Sequence, residues 1–165
     1  LLAKLDNGEI HFALIEGYFP SHKYEQLLYY TDSFICVCAK NHTFSQKVNH
    51  IEDLLNERIL VRETGSGTRD LLDSYLKTYN LSYLDFKNHL EIESISSIIS
   101  LLKNDCGISF LYRLSVEEEL KNGSLKEIKI QNLPLHHDTT FLWNKNSVYS
   151  KQYKEICKEL IGEYK

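Results

Sequence analysis

Two hydrophobic periodicities alternate along this chain, and their alternation restricts the folds open to it more than any one motif does. Apolar runs of strand length occur at Ile10 to Ile15, Gln26 to Tyr30, Ser33 to Ala39, Arg58 to Arg62, Leu90 to Glu93, Ile108 to Tyr112, Leu125 to Ile130 and Thr139 to Trp143. Among and after them, apolar residues recur at helical spacing: Leu71, Leu72, Tyr75, Leu76 and Tyr79, then Ile95, Ile98, Ile99 and Leu102, then Tyr153, Ile156, Cys157, Leu160 and Ile161. A period of 2 buries alternate residues of a strand, and a period near 3.6 buries one face of a helix. Strands that alternate with helices predict α/β layers and a largely parallel sheet, as one compact body or as two lobes.

Local signals place the ends of these elements. Leu1, Leu2 and Leu5 read as the end of a helix stopped at Asn7-Gly8, and Thr31-Asp32 as a break between two strands. Ile51 to Leu55 reads as a short helix. Ser94 stands where it can cap the second helical stripe. Ser115 and Glu118 fit a capping box for an acidic helix that ends at Asn122-Gly123, and Gly162 stops the last helix.

Charge and composition exclude several classes of function. The 19 Lys and Arg against 23 Asp and Glu give a net charge of -4, so there is no basic surplus with which this chain alone could neutralise phosphates. With 42% hydrophobic residues and only 7 Gly and 2 Pro, it is not a disordered segment. No run approaches the roughly 20 apolar residues that span a bilayer. The first residues show no secretory signal, Met is absent even at position 1, and the chain is expected to be a cytoplasmic fragment or processed product. Cys36 and Cys38 share one face of a strand, and no second Cys/His pair at ligand spacing completes a metal site around them. With Cys106 and Cys157 far along the chain, the four cysteines form no disulfide framework.

The most informative segment is Val61-Arg62-Glu63-Thr64-Gly65-Ser66-Gly67-Thr68-Arg69-Asp70, which leaves a strand and enters the strongest helix. Its glycines admit backbone conformations closed to other residues, and the first amides of the helix point outward with the positive end of the dipole behind them. Ser66, Thr68 and Arg69 add two hydroxyls and a guanidinium, so the segment suits a carboxylate or other small anion, or else is simply a well-capped helix with Arg69 solvated. It is neither a phosphate-binding P-loop nor a dinucleotide fingerprint, because no Lys precedes the Ser or Thr and Asp70 stands where a third glycine would be. No esterase elbow is present, and Glu117-Glu118-Glu119 reads as a solvated helix face. Glu16, just past a buried strand, is a further binding candidate, weighed against an ordinary loop carboxylate.

Taken in order, these segments resemble the effector-binding domain of LysR-type transcriptional regulators. The resemblance runs from Leu5-Asp6-Asn7-Gly8-Glu9-Ile10-His11-Phe12-Ala13-Leu14-Ile15-Glu16-Gly17, through Phe34 to Phe44 with its Lys40-Asn41-His42 turn, to Ile51-Glu52-Asp53-Leu54. It continues in Arg62-Glu63-Thr64-Gly65-Ser66-Gly67-Thr68-Arg69, Gly107-Ile108-Ser109-Phe110-Leu111 and Gly123-Ser124-Leu125. It implies a two-lobed α/β fold like that of periplasmic solute-binding proteins, with residues 1–38 and 143–165 in a first lobe that lacks its opening strand and helix, and 39–142 in the second. It further implies a small effector in the cleft between lobes, facing Glu16, Thr64, Gly65, Ser66, Gly67, Thr68, Arg69, Ser94, Ser96 and Tyr112. Glu16 departs from the small polar residue common there and admits an amine-bearing ligand. DNA contact is implied only through an absent N-terminal helix-turn-helix, and the regulator is implied to be a homodimer or higher homo-oligomer. No cofactor, metal or membrane partner is implied. A stand-alone solute-binding protein of the same fold is the alternative, and an enzyme on this scaffold would need a reactive side chain that the sequence does not display.

Overall fold

A computed structural model describes residues 1–16 and 19–162, with the Glu16 side chain outside that description. In chain order its elements are α1 (Leu2–Asp6), β1 (Phe12–Glu16), β2 (Tyr24–Ala39), β3 (Arg58–Val61), α2 (Gly67–Lys77), β4 (Asn88–Glu91), α3 (Ile95–Lys103) and β5 (Ile108–Tyr112). There follow α4 (Glu117–Asn122), β6 (Leu125–Ile128), β7 (Leu135–Asn144) and α5 (Ser150–Gly162), with 3-10 turns at Ile51–Leu54 and Arg113–Val116 among the connections.

The chain divides into two compact units, Leu1–Asp32 with His136–Lys165, and Ser33–Leu135. The chain passes from one unit to the other after Asp32 and again after Leu135. The first crossing carries no punctuation, because β2 runs unbroken from Tyr24 to Ala39. Thr31-Asp32 is therefore not a break between two strands. Thr31 Oγ1 instead donates to Asp138 Oδ1 at 2.6 Å, which gives this polar position a partner within an extended backbone.

In the first unit β7 lies between β1 and β2, with β1 antiparallel to it. Phe141, Trp143, Tyr153 and Cys157 pack α5 onto one face of these strands, and Leu5, Tyr24 and Leu142 pack α1 on a second cluster. Trp143 is fully buried, and its Nε1 donates to Ser150 Oγ at 3.0 Å. That hydroxyl donates in turn to Glu25 Oε2 at 2.8 Å.

In the second unit the order is β2-β5-β3-β4, with β6 on the other side of β2. Only β3 with β4 and β3 with β5 are parallel, while β5 and β6 both run antiparallel to β2. The sheet is mixed, not largely parallel. Parallel neighbours need a long crossover, and here α2 and α3 supply the two that are present. Phe34, Cys36, Cys38, Ile59, Val61 and Phe110 meet Leu72, Tyr75 and Leu76 of α2 on one face. Ile35, Val37, Leu60 and Leu111 meet Ile98 and Leu102 of α3 on the opposite face. Cys36 and Cys38 are thus core residues, and burial pushes both thiols up, Cys38 to about 12.

One local expectation differs in detail. The capping box of Ser115 and Glu118 does not form, because Arg113–Val116 takes a 3-10 turn that leaves Val116 at the cap of α4. Gly107 has a reason beyond its turn: at φ +144°, a Cβ there would lie 2.3 Å from the Arg58 carbonyl oxygen. Glycine therefore lets the turn into β5 pass against the start of β3.

Candidate functional site

Three parallel strands, β5, β3 and β4, end on the same side of the second unit. The chain leaves β3 for α2 on one face of the sheet and leaves β4 for α3 on the other. Where adjacent strands send their connections to opposite faces, a crevice opens beyond their carboxyl ends, and α/β proteins bind ligands there. Thr64 to Arg69 lead into α2 on one side of these strand ends, Ser94 and Ser96 open α3 on the other, and Tyr112 ends the neighbouring strand. The topology thus gathers nine of the ten residues singled out in the sequence at one edge.

The approach to α2 is shaped by Gly65 at φ +91°, a left-handed conformation that turns the chain sharply after Ser66 N has bonded Glu63 O at 3.2 Å. Ser66 takes the N-cap position in an extended conformation, yet its side chain makes no capping hydrogen bond. The first-turn amides of α2 have no intrahelical acceptor, so this end presents N–H donors, the positive end of the helix dipole and an uncommitted capping hydroxyl together. Ser66 and Thr68 are half-buried, whereas Thr64, Gly65 and Gly67 are exposed.

The start of α3 is capped as its sequence predicts. Ser94 Oγ accepts from Ser97 N at 3.3 Å and lies 2.7 Å from Ser96 Oγ, with both serines exposed. Tyr112, half-buried, stands edge-on to Phe34 with ring centroids 5.8 Å apart.

Arg69 is not solvated. It is 5% exposed, and its Nε donates to both oxygens of Asp73 at 3.0 Å. Its Nη1 donates to the Arg62 carbonyl at 2.9 Å and to Glu91 Oε2 at 3.3 Å, and its guanidinium carbon lies 3.9 Å from the centre of the Tyr83 ring. Burial works against its charge, and the bonds with Asp73, Tyr83 and Glu91 outweigh it, so the pKa is held above the ordinary arginine value. Arg69 therefore braces the loop from inside. Asp73, Tyr83 and Glu91 take part in the site's framework without having been singled out in the sequence. The spacing of Arg69 and Asp73, four apart on a helix, was the available signal for one of them. Beside them Arg62 pairs with Glu63 through Nε at 2.8 Å, which holds the Glu63 carboxyl below the usual carboxylate range.

Glu16 pairs with Thr139 through the β1 backbone, and its side chain lies outside the described residues, as do Gly17 and Tyr18. Two cavities of the second unit open elsewhere. One of about 290 Å³ runs along α2 between Leu71, Tyr75, Tyr79 and Asn132, and one of about 310 Å³ lies by Lys40, Lys103 and Asp105. Among the described residues no cluster of His, Cys, Asp and Glu could hold a metal ion, and no helix is long and apolar enough to cross a membrane.

Comparison with known proteins gives one consistent result. The family model of the LysR substrate binding domain matches residues 1–163. A probable RuBisCO transcriptional regulator of Chlorokybus atmophyticus is 27% identical over 162 residues, which is 96% of this chain and 52% of that protein. The chain thus spans about half the length of the curated relatives it matches. The regulatory domain of CcmR from Synechocystis PCC6803, in complex with 2-PG, superposes with a TM-score of 0.73 at 18% identity, covering 99% of this chain and 78% of that one. The regulatory domain of MetR, a LysR family regulator from N. meningitidis, gives 0.73 at 18% identity, covering 98% and 73%. The fold is therefore the two-lobed, periplasmic-binding-protein-like fold of such domains.

Proposed function

The chain belongs to the LysR substrate-binding domain family, and we propose that it is the part of a transcriptional regulator that senses a small effector by binding it at the ends of β3 and β4. One observation carries this reading: the starts of α2 and α3 flank a switch point of the sheet, and Ser66 caps α2 without spending its hydroxyl on the helix. The donors there suit an effector with a carboxylate or similar anionic group. Gly67 and Thr68 amides would hold the anion, and the hydroxyls of Ser66, Thr68 and Ser96 would read its oxygens. Arg69 would act indirectly by fixing the loop between β3 and α2. The CcmR domain that this fold resembles is in complex with 2-PG, which makes 2-PG a natural first probe.

In this reading binding, not catalysis, is the chemistry of the chain. Any DNA contact of the regulator would lie outside this chain, in agreement with its net charge of -4. The regulator works in the cytoplasm as an oligomer, and the effector biases how paired DNA-binding domains are held.

A thermal-shift panel of small carboxylates, amino acids, amines and 2-PG tests the proposal. A binder at 100 times its Kd adds about 2.7 kcal/mol, which is roughly 5–10 °C in Tm for a chain of this size. A saturable rise with an anionic compound, diminished in Ser66→Ala, is the expected result. A rise that Ser66→Ala leaves intact, or none with any compound, contradicts it.

A further inference from the structure

Leu71, Tyr75 and Tyr79 recur every four residues, so they share a stripe along α2 and the turn after it, beside the stripe of Leu72 and Leu76 that enters the core. Opposite that stripe lies the turn carrying Asn132, and between them opens the groove of about 290 Å³, which also takes in Ser74 and Leu135. All of it belongs to the second unit. Its walls are fixed from behind. Tyr75 is 5% exposed, its ring tilted against Phe110 with centroids 6.0 Å apart, and the Tyr79 ring stands edge-on to it at 5.3 Å. Asn132, at φ +62°, donates through Nδ2 to the Tyr79 hydroxyl at 2.7 Å and so ties its turn to the end of α2.

Charge and hydrogen bonding select the occupant. None of the residues lining the groove is charged, so an ion entering it would shed water without meeting a counter-charge. The polar groups there are hydroxyls and an amide, and their bonding is incomplete. The Tyr75 hydroxyl reaches Gln131 O at 3.5 Å, the outer limit of a hydrogen bond, so a closer acceptor in the groove would improve on it. Burial and the Tyr79 phenol beside it push Tyr75 up to about 13, which keeps it a neutral donor. Asn132 spends its amino group on Tyr79 and keeps its amide oxygen as an acceptor.

We propose that this groove is a second small-molecule site, and that it takes an uncharged aromatic ring bearing one hydroxyl, a phenol in the simplest case. The ring lies against Tyr75 and Tyr79 and between Leu71 and Leu135. Its oxygen accepts from the Tyr75 hydroxyl in place of the long bond to Gln131, and its own hydrogen goes to the Asn132 amide oxygen. The size agrees, since an apolar cavity of roughly 150 Å³ holds benzene and this groove leaves room for a substituent. A mostly apolar and aromatic lining with a few placed polar groups is also what small ligands generally occupy. The groove shares α2 with Ser66 to Arg69 but no residue with them, and it does not depend on the effector reading.

Titration of the whole chain with p-cresol, followed by backbone amide NMR and calorimetry, tests the assignment. Saturable binding is expected to move the amides of Leu71, Ser74, Tyr75 and Asn132 and to leave those of Gly67 and Thr68 in place. Ser74→Trp sets an indole in the groove from an exposed position of the helix, and is expected to weaken p-cresol roughly tenfold or more. Tyr75→Phe is expected to weaken p-cresol roughly 2- to 10-fold while leaving toluene, which has no hydroxyl, unaffected. p-Toluate, the same ring with a carboxylate, is expected to leave the groove amides unmoved. The proposal is overturned if p-cresol does not saturate at these amides, or if a natively folded Ser74→Trp binds it as the parent does. It is overturned equally if Tyr75→Phe weakens toluene and p-cresol alike, or if p-toluate occupies the groove as well as p-cresol.

Discussion

Arg69 Nη1 donates to Glu91 Oε2 at 3.3 Å, and this bond ties the first turn of α2 to the last residue of β4. With the bond to the Arg62 carbonyl, one guanidinium spans the ends of both strands that border the crevice. Its side chain is 6% exposed, whereas Asp73 and Glu91 are each 47% exposed, so the pairs are anchored inside and open to water outside. Part of their Coulomb energy is therefore screened.

Removing that brace destabilises the second unit. Arg69→Ala leaves two carboxylates and a carbonyl without their donor, and the expected loss is about 2 kcal/mol, below the 3–5 kcal/mol of a fully buried pair because both acids reach solvent. Urea denaturation reads this as a lower midpoint at unchanged slope. Arg69→Lys keeps the charge but not the planar fork, and is expected to lose about half as much. A midpoint equal to that of the unaltered chain would show that Arg69 braces nothing.

The two capping serines separate stability from binding. Ser94 Oγ accepts from Ser97 N, so Ser94→Ala is expected to cost about 1 kcal/mol of stability. Ser66 makes no such bond, so Ser66→Ala leaves stability within about 0.5 kcal/mol while weakening an anionic effector by roughly 2- to 10-fold, the worth of one neutral hydrogen bond. Denaturation and calorimetric titration of both variants check the contrast, and the reverse pattern would exchange the roles of the two serines.

Acid acts on the turn before β3. Asp53 accepts from Asn49 N and His50 N at 2.9 Å each, and these bonds hold its carboxyl below the usual carboxylate range. A lowered native pKa means that the stabilisation is fully present above the unfolded value near pH 3.9 and is lost as pH falls through the native one. Asp53→Ala is therefore expected to be less stable than the parent at pH 6, with the difference closing below about pH 4. A difference independent of pH would assign it to packing instead.

Much of this fold is legible in the sequence, because helices announce themselves by period. The stripe of Leu72, Tyr75 and Leu76, and that of Ile98 and Leu102, lie where their spacing puts them, against opposite faces of one sheet. Strand direction is not encoded locally. Nothing in Ile108 to Tyr112 tells that it lies parallel to β3 and antiparallel to β2, since buried strands of either sense look alike in sequence. Thr31-Asp32 imitates a turn because polar residues interrupt the apolar pattern, yet Thr31 satisfies its hydroxyl on Asp138, more than a hundred residues away. The site shows the same division. The glycine turn and the Ser94 cap depend on neighbours a few residues off and could be foreseen. Arg69 could not, because its burial depends on Tyr83 and Glu91, which only tertiary folding brings to it.

Backbone amide NMR during titration with small organic anions shows whether an effector binds at the starts of α2 and α3. A saturating ligand is expected to move the amides of Gly67, Thr68 and Ser96 first and furthest. Saturation that instead moves Leu71, Tyr75 and Asn132, along the groove beside α2, with the amides of Gly67 and Thr68 unmoved, would contradict it.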